Sequence, residues 1–222
     1  MNIPIIFHFL NEIQEHNNRE WFHANKPLYD EVRKNFEDFL AQIIARISTF
    51  DDSVNDLFPS DCTFRISRDT RFGEDKTPYK LHMGGYMNGK GRKSDYFGYY
   101  IHLQPGRSML GGGSYCISSK SLKAFRTAIM ENIDEYISIV EDPEFKRFFP
   151  FVGEDFVRTY PKGFPKDFPY IDYLRCKRYT CTYPVDDDFF TRPDFLDRLE
   201  EVFRQMKRVA DFFNSTLDNL ED

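Results

Sequence analysis

The stretch RISRDTRFGEDKTPYKLH, from Arg65 to His82, concentrates the side chains that could do chemistry. Arg65, Arg68 and Arg71 carry rigid forks of donors that keep their charge at any working pH, and Lys76 adds a point charge. Together they favour carboxylate or phosphate. On this reading Arg68, Arg71 and Lys76 grip an anionic group, Asp69 orients one arginine, and Tyr79 hydrogen-bonds the ligand. His82 is a candidate general base, since imidazole titrates near neutrality. The expected binding site is therefore Arg65, Arg68, Asp69, Arg71, Lys76, Tyr79 and His82, with a small anion as partner and no catalytic residue assigned. An enzymatic step is left open.

Getting those groups to one mouth requires a change of direction. In an extended strand Arg65, Ser67, Asp69 and Arg71 share one face, with Ile66 and Arg68 on the other. A turn at Gly73, followed by Thr77-Pro78, would fold Lys76 and Tyr79 back over the strand end. A plainer account needs no ligand: Asp69 between Arg68 and Arg71, and Asp75 beside Lys76, lock the loop internally, while Phe72 and Tyr79 plug the core edge. A buried arginine requires such acids, because a charge left unpaired costs several kcal/mol.

Charge is uneven along the chain. Between Arg65 and Lys93 eight Lys or Arg face three acids, a local balance of +5 in a chain of net charge −6. The overall sign disfavours general binding to nucleic acid or anionic membranes, whose phosphates attract basic fields. A local patch could still override that. The alternative to a ligand site is a non-catalytic module whose basic face, with Lys80, Lys90, Arg92 and Lys93 spread flat, docks an acidic protein or a nucleic-acid element.

Arg65, Arg68, Asp69, Arg71, Phe72, Asp75, Lys76 and Tyr79, eight positions within fifteen, look like the signature of the bacterial family named domain of unknown function 2461. NNREWFHANKPLYDE (Asn17 to Glu31) and HLQPGRSMLGGGSY (His102 to Tyr115) are similar to its neighbouring segments, so the resemblance spans nearly the entire chain. The family's name implies no particular activity.

Other chemistry finds less support. The chain has no G-x-S-x-G elbow, no H-E-x-x-H and no G-x-x-x-x-G-K-[ST], so lipase-like, zincin and P-loop reactions are not expected. Cys62, Cys116, Cys176 and Cys181 stand apart and read as reduced, buried thiols. Neither a metal nor a cofactor is expected. Asp186, Asp187 and Asp188 precede a helix and complement its positive end better than they suggest a cation site. His102 is a second candidate base, though a lone histidine is more often packed or solvated. GGYMNGKG (Gly84 to Gly91) and Gly111 to Gly113 read as hairpin tips. Trp21 reads as an anchor between helices more than as a stacking platform.

The elements that must position these residues follow from periodicity. Ile5, Ile6, Phe9, Leu10 and Ile13 share a helical face between Pro4 and Gln14. Asn18 caps a short helix, and Pro27 opens a longer one reaching about Ser48. CTFRIS alternates as a strand, and DYFGYYIHLQPGRSMLGGGSYCI reads as two strands turning at Pro105-Gly106. Ser118 or Ser119 caps a helix through Met130, two helical pieces divide near Pro143, and YIDYLRC is a helical turn. KRYTCTYPV forms a last strand before an amphipathic helix begun by Pro193. Helices around a block of strands, without βαβα alternation, predict an α+β fold: one domain over residues 1–222, its mainly antiparallel twisted sheet covered by helices. Aromatics make up 17% of the chain, with 24 Phe and 13 Tyr, and read as core. No apolar run approaches the roughly 20 residues of a membrane span, and the N-terminus lacks a signal peptide's basic start. A cytoplasmic location is the expectation.

Overall fold

The computed structural model describes residues 2–71 and 74–221. Phe72 and Gly73, the expected plug and turn, lie outside the described residues. Helices α1 (Ile3–Glu15), α2 (Arg19–Ala24) and α3 (Lys26–Ile47) open the chain. Asn18 caps α2 by accepting from the Trp21 N–H at 2.8 Å. Trp21 packs on Phe9 and His16, an anchor in the helix junction. A short α4 (Pro59–Cys62) leads to strands β1 (Met83–Met87), β2 (Gly98–Leu103) and β3 (Met109–Ser114). Then come α5 (Ser119–Glu131), α6 (Ile133–Val140), α7 (Pro143–Phe148), β4 (Glu154–Phe156), α8 (Ile171–Leu174), β5 (Cys176–Pro184) and the long α9 (Phe195–Glu221). The five strands form one sheet in the order β1-β2-β3-β5-β4, every pair antiparallel. No helix among the described residues is long and apolar enough to cross a membrane.

One sheet face is covered by helices α3, α5 and α9. Phe213 of α9 stacks on Phe125 of α5 at 4.3 Å and meets Tyr179 of β5 at 4.9 Å, while Phe203 lies 5.1 Å from Tyr99 of β2. These rings bury large areas per residue and join the sheet to its covering helices. The opposite face is polar at the β1–β2 edge. Alternation puts Tyr86 opposite Tyr100 and Gly84 opposite His102 there.

Several expectations are corrected. The glycine-rich runs are strands, with only Gly89 and Gly91 falling in a turn: Gly84 and Gly85 belong to β1, and Gly111 to Gly113 run through the centre of β3. Space is the reason. A Cβ on Gly84 would stand 2.7 Å from the Tyr100 hydroxyl, and one on Gly85 2.6 Å from Leu40 of α3. CTFRIS is no regular strand. Cys62 ends α4, and among the described residues this segment is paired by two isolated bridges, Thr63 with Gly85 of β1 and Ser67 with Tyr79 ahead of β1. Four steps from Thr63 to Ser67 face six from Tyr79 to Gly85, so the ladder slips out of register. Cys116 is exposed, whereas Cys62, Cys176 and Cys181 are buried. The acidic run precedes only a single 3-10 turn, Phe189–Thr191. Two of its carboxylates have partners: Asp187 accepts from the Gly106 N–H at 2.8 Å, and Asp188 pairs with Arg192 at 2.9 Å.

Candidate functional site

The charged segment closes largely upon itself. The Arg68 guanidinium donates to the Asp75 carboxylate and to the Thr77 hydroxyl. Asp75 also accepts from the Thr77 N–H at 2.9 Å, and these bonds, the backbone one foremost, pull its carboxyl down to about 2. Arg71 grips Asp69 with two prongs, Nε at 2.9 Å and Nη2 at 2.7 Å, which holds that carboxyl below its ordinary range. Lys76 Nζ donates to the Thr70 carbonyl at 2.9 Å. The partner of Asp75 is thus Arg68 rather than its neighbour Lys76.

Tyr79 is core. It is 7% exposed, its ring lies 4.1 Å from that of Phe22, and its backbone is gripped from both sides by the Asn17 amide. Asn17 Nδ2 donates to the Tyr79 carbonyl at 3.0 Å, and the Tyr79 N–H donates to Asn17 Oδ1 at 3.1 Å.

The hollow lies beside this loop. A recess of about 520 Å³ is lined by Tyr29, Arg33, Ser60, Thr63, Phe64, Arg65, Lys80, Arg92 and Lys93. Tyr29 and Arg33 come from the first half of α3, Ser60 from α4, and Arg65 and Lys80 from the two irregularly paired segments at the sheet edge. Arg92 and Lys93 come from the β1–β2 turn. Arg33 is held by Glu37 at 2.9 Å. Arg92 donates to the Thr63 carbonyl at 2.6 Å and lies over the Phe64 ring, where Lys80 also lies, at 5.4 and 5.5 Å respectively. Among the described residues no carboxylate forms an ion pair with Arg65, Lys80, Arg92 or Lys93. Lys80 shows the consequence: burial, then the charges of Arg65 and Arg92, hold its ammonium below the ordinary lysine range.

A second, wider cleft of about 1160 Å³ runs past His82 and His102 to the start of α9. The two imidazoles stack at 4.2 Å. His102 is fixed at both nitrogens, Nδ1 at 2.9 Å from the Tyr100 hydroxyl and Nε2 at 2.9 Å from Gln104 Oε1. One tautomer satisfies both contacts, with the tyrosine donating to Nδ1 and Nε2–H donating to the amide oxygen. Burial, the second imidazole and then Lys80 push His82 down to about 4, and burial lowers His102 as well. Both rings are therefore neutral at pH 7.

Of the expected site residues, Arg65 lines the recess and His82 the cleft, while Arg68, Asp69, Arg71, Lys76 and Tyr79 line neither. The positive excess of the segment signalled Lys80, Arg92 and Lys93, which form walls of a hollow and not a flat face. Tyr29, Arg33 and Ser60 carry no sequence signal, because only the packing of α3 and α4 against the sheet edge brings them there.

Comparison with known proteins gives one match: a family model described as "Conserved hypothetical protein (DUF2461)" covers residues 5–212. No curated protein and no solved structure matches the chain.

Proposed function

We propose, for a chain that belongs to the DUF2461 family of conserved hypothetical proteins, that it binds a small anionic ligand, a phosphate-bearing one foremost, in the recess between α3 and the β1 edge. One observation carries this reading: Arg65, Lys80, Arg92 and Lys93 converge there without a carboxylate among the described residues. Cations held close in a partly desolvated hollow repel one another, and an anion relieves that repulsion. Guanidinium forks and an ammonium suit the tetrahedral oxygens of phosphate. Ser60 and Tyr29 belong to the same lining, and their hydroxyls can donate to further oxygens. The walls enclose a hollow of ligand size, which favours a small molecule over a broad acidic surface.

Thermal unfolding in the presence of inorganic phosphate, sugar phosphates and nucleotides tests the reading, since a ligand bound to the folded state raises Tm. At least one phosphorylated compound is expected to raise Tm, with the shift shrinking as salt is added. Replacing both Lys80 and Arg92 by Ala should weaken that ligand about 100-fold, each lost charge-assisted contact costing roughly tenfold. The reading fails if no anion shifts Tm, or if the double variant binds as the parent does.

A further inference from the structure

The wide cleft has an electrostatic character unlike the recess. Its lining includes four arginines and four acids, and the ion pairs among them leave a balanced remainder. Arg192 is paired with Asp188, Arg198 with Asp194, and Asp197 with Arg46. Arg107, Arg147, Asp186 and Glu201 also line it and form no ion pair or side-chain hydrogen bond among the described residues. Met109, Phe148, Pro184, Val185 and Phe189 add apolar surface to the same lining. The stacked His82 and His102 rings belong to the lining too. A simple anion has nothing to gain here, since the attraction of the arginines is cancelled by the carboxylates. A molecule carrying both signs on a partly apolar frame can satisfy the arginines and the carboxylates together.

We infer that this cleft binds a short linear peptide with free termini, its carboxylate held by Arg147 or Arg107 and its ammonium by Glu201 or Asp186, with its side chains on the apolar part of the lining. Size decides between a peptide and a single amino acid. At about 1160 Å³ the cleft is at the upper end of ligand pockets, far larger than one small residue fills. Arg147, from the end of α7, and Glu201, from the second turn of α9, stand on separate elements. Charges fixed on separate elements need a ligand long enough to meet both. The inference is independent of anion binding in the recess.

The histidines supply the readout, because His82 and His102 are two of only five in the chain and their ring resonances report on the cleft. Trialanine with free termini, N-acetyl-trialanine and trialanine amide are titrated into the full-length protein and followed by histidine-selective NMR. Trialanine is expected to shift the His82 and His102 signals and leave His8, His16 and His23 in place. Blocking either terminus should weaken binding at least ~10-fold, as should Arg147→Gln or Glu201→Gln, each removing one charged contact. Both side chains are exposed, so the variants should keep the parent's Tm. The inference is overturned if trialanine moves no histidine signal at millimolar concentration, or if the blocked peptides bind as tightly as the free one. Inorganic phosphate serves as a control: a shift of the same two signals by phosphate would assign the cleft to anions and also overturn it.

Discussion

Gly113→Ala is expected to destabilise the protein by at least ~3 kcal/mol, a large fraction of a domain's total stability. Two effects combine at this position in the middle of the sheet. Its φ of +142° is a conformation that residues with a Cβ rarely adopt. The added Cβ would stand 2.4 Å from the Tyr179 carbonyl oxygen and 2.6 Å from the Thr180 Cα, both backbone atoms of the neighbouring β5. Backbone within a paired strand cannot retreat without breaking the ladder between β3 and β5. The Gly113 carbonyl also accepts from the Tyr86 hydroxyl at 2.7 Å, so a shift there spreads to β1. Gly106→Ala is the control: its φ is +69°, yet nothing lies within 4 Å of an added Cβ. That variant should lose only the conformational cost of the left-handed region, about 1 kcal/mol. Urea unfolding of the two variants checks the argument, and equal losses would contradict it.

The second large effect is on the pH dependence of stability. The folded protein holds His82 near 4, whereas the unfolded chain titrates it near its ordinary 6.5. Between those values the unfolded state carries more protons, so stability is fully present above about 6.5 and is lost as the pH falls toward 4. A shift of that size amounts to roughly 3 kcal/mol at most, since each pH unit is worth about 1.4 kcal/mol. His102, displaced in the same direction, adds to it. The carboxylates act in a lower window: Asp75, held near 2, loses its contribution only as the pH falls below the ordinary carboxylate range. Urea midpoints measured at pH 7 and pH 4.5 should therefore differ clearly for the parent and much less for His82→Gln. A parent midpoint that does not move across this interval would show that the imidazole protonates without penalty.

How much of this could be read from residues alone depends on where the physical signal lives. Helices announced themselves through local chemistry, as at Asn18 and Ser118, whose side chains accept from the N–H groups of Trp21 and Ser121. The β2–β3 hairpin was legible in Pro105-Gly106, where the Arg107 N–H meets the Gln104 carbonyl at 2.9 Å. Strand β1 was not. Its Gly84 and Gly85 mimic a turn, and the reason for them is the bulk of Tyr100 and Leu40, distant in sequence. The family and the α+β architecture were legible; the hollow beside the signature was not. Arg68 and Arg71 looked like the anion grip, yet Asp75 and Asp69 satisfy them from seven and two positions away. Arg65, Lys80, Arg92 and Lys93, which form no ion pair with a carboxylate among the described residues, line the recess instead.

The Asn17 amide has a consequence beyond the loop it holds. By bonding both the N–H and the carbonyl of Tyr79, it takes the place that a residue of another strand would fill. An open margin of this kind invites foreign chains to add on and seeds fibrils. A single carboxamide from the segment between the first two helices fills that place, so the Tyr79 backbone offers an incoming strand neither a free N–H nor a free carbonyl.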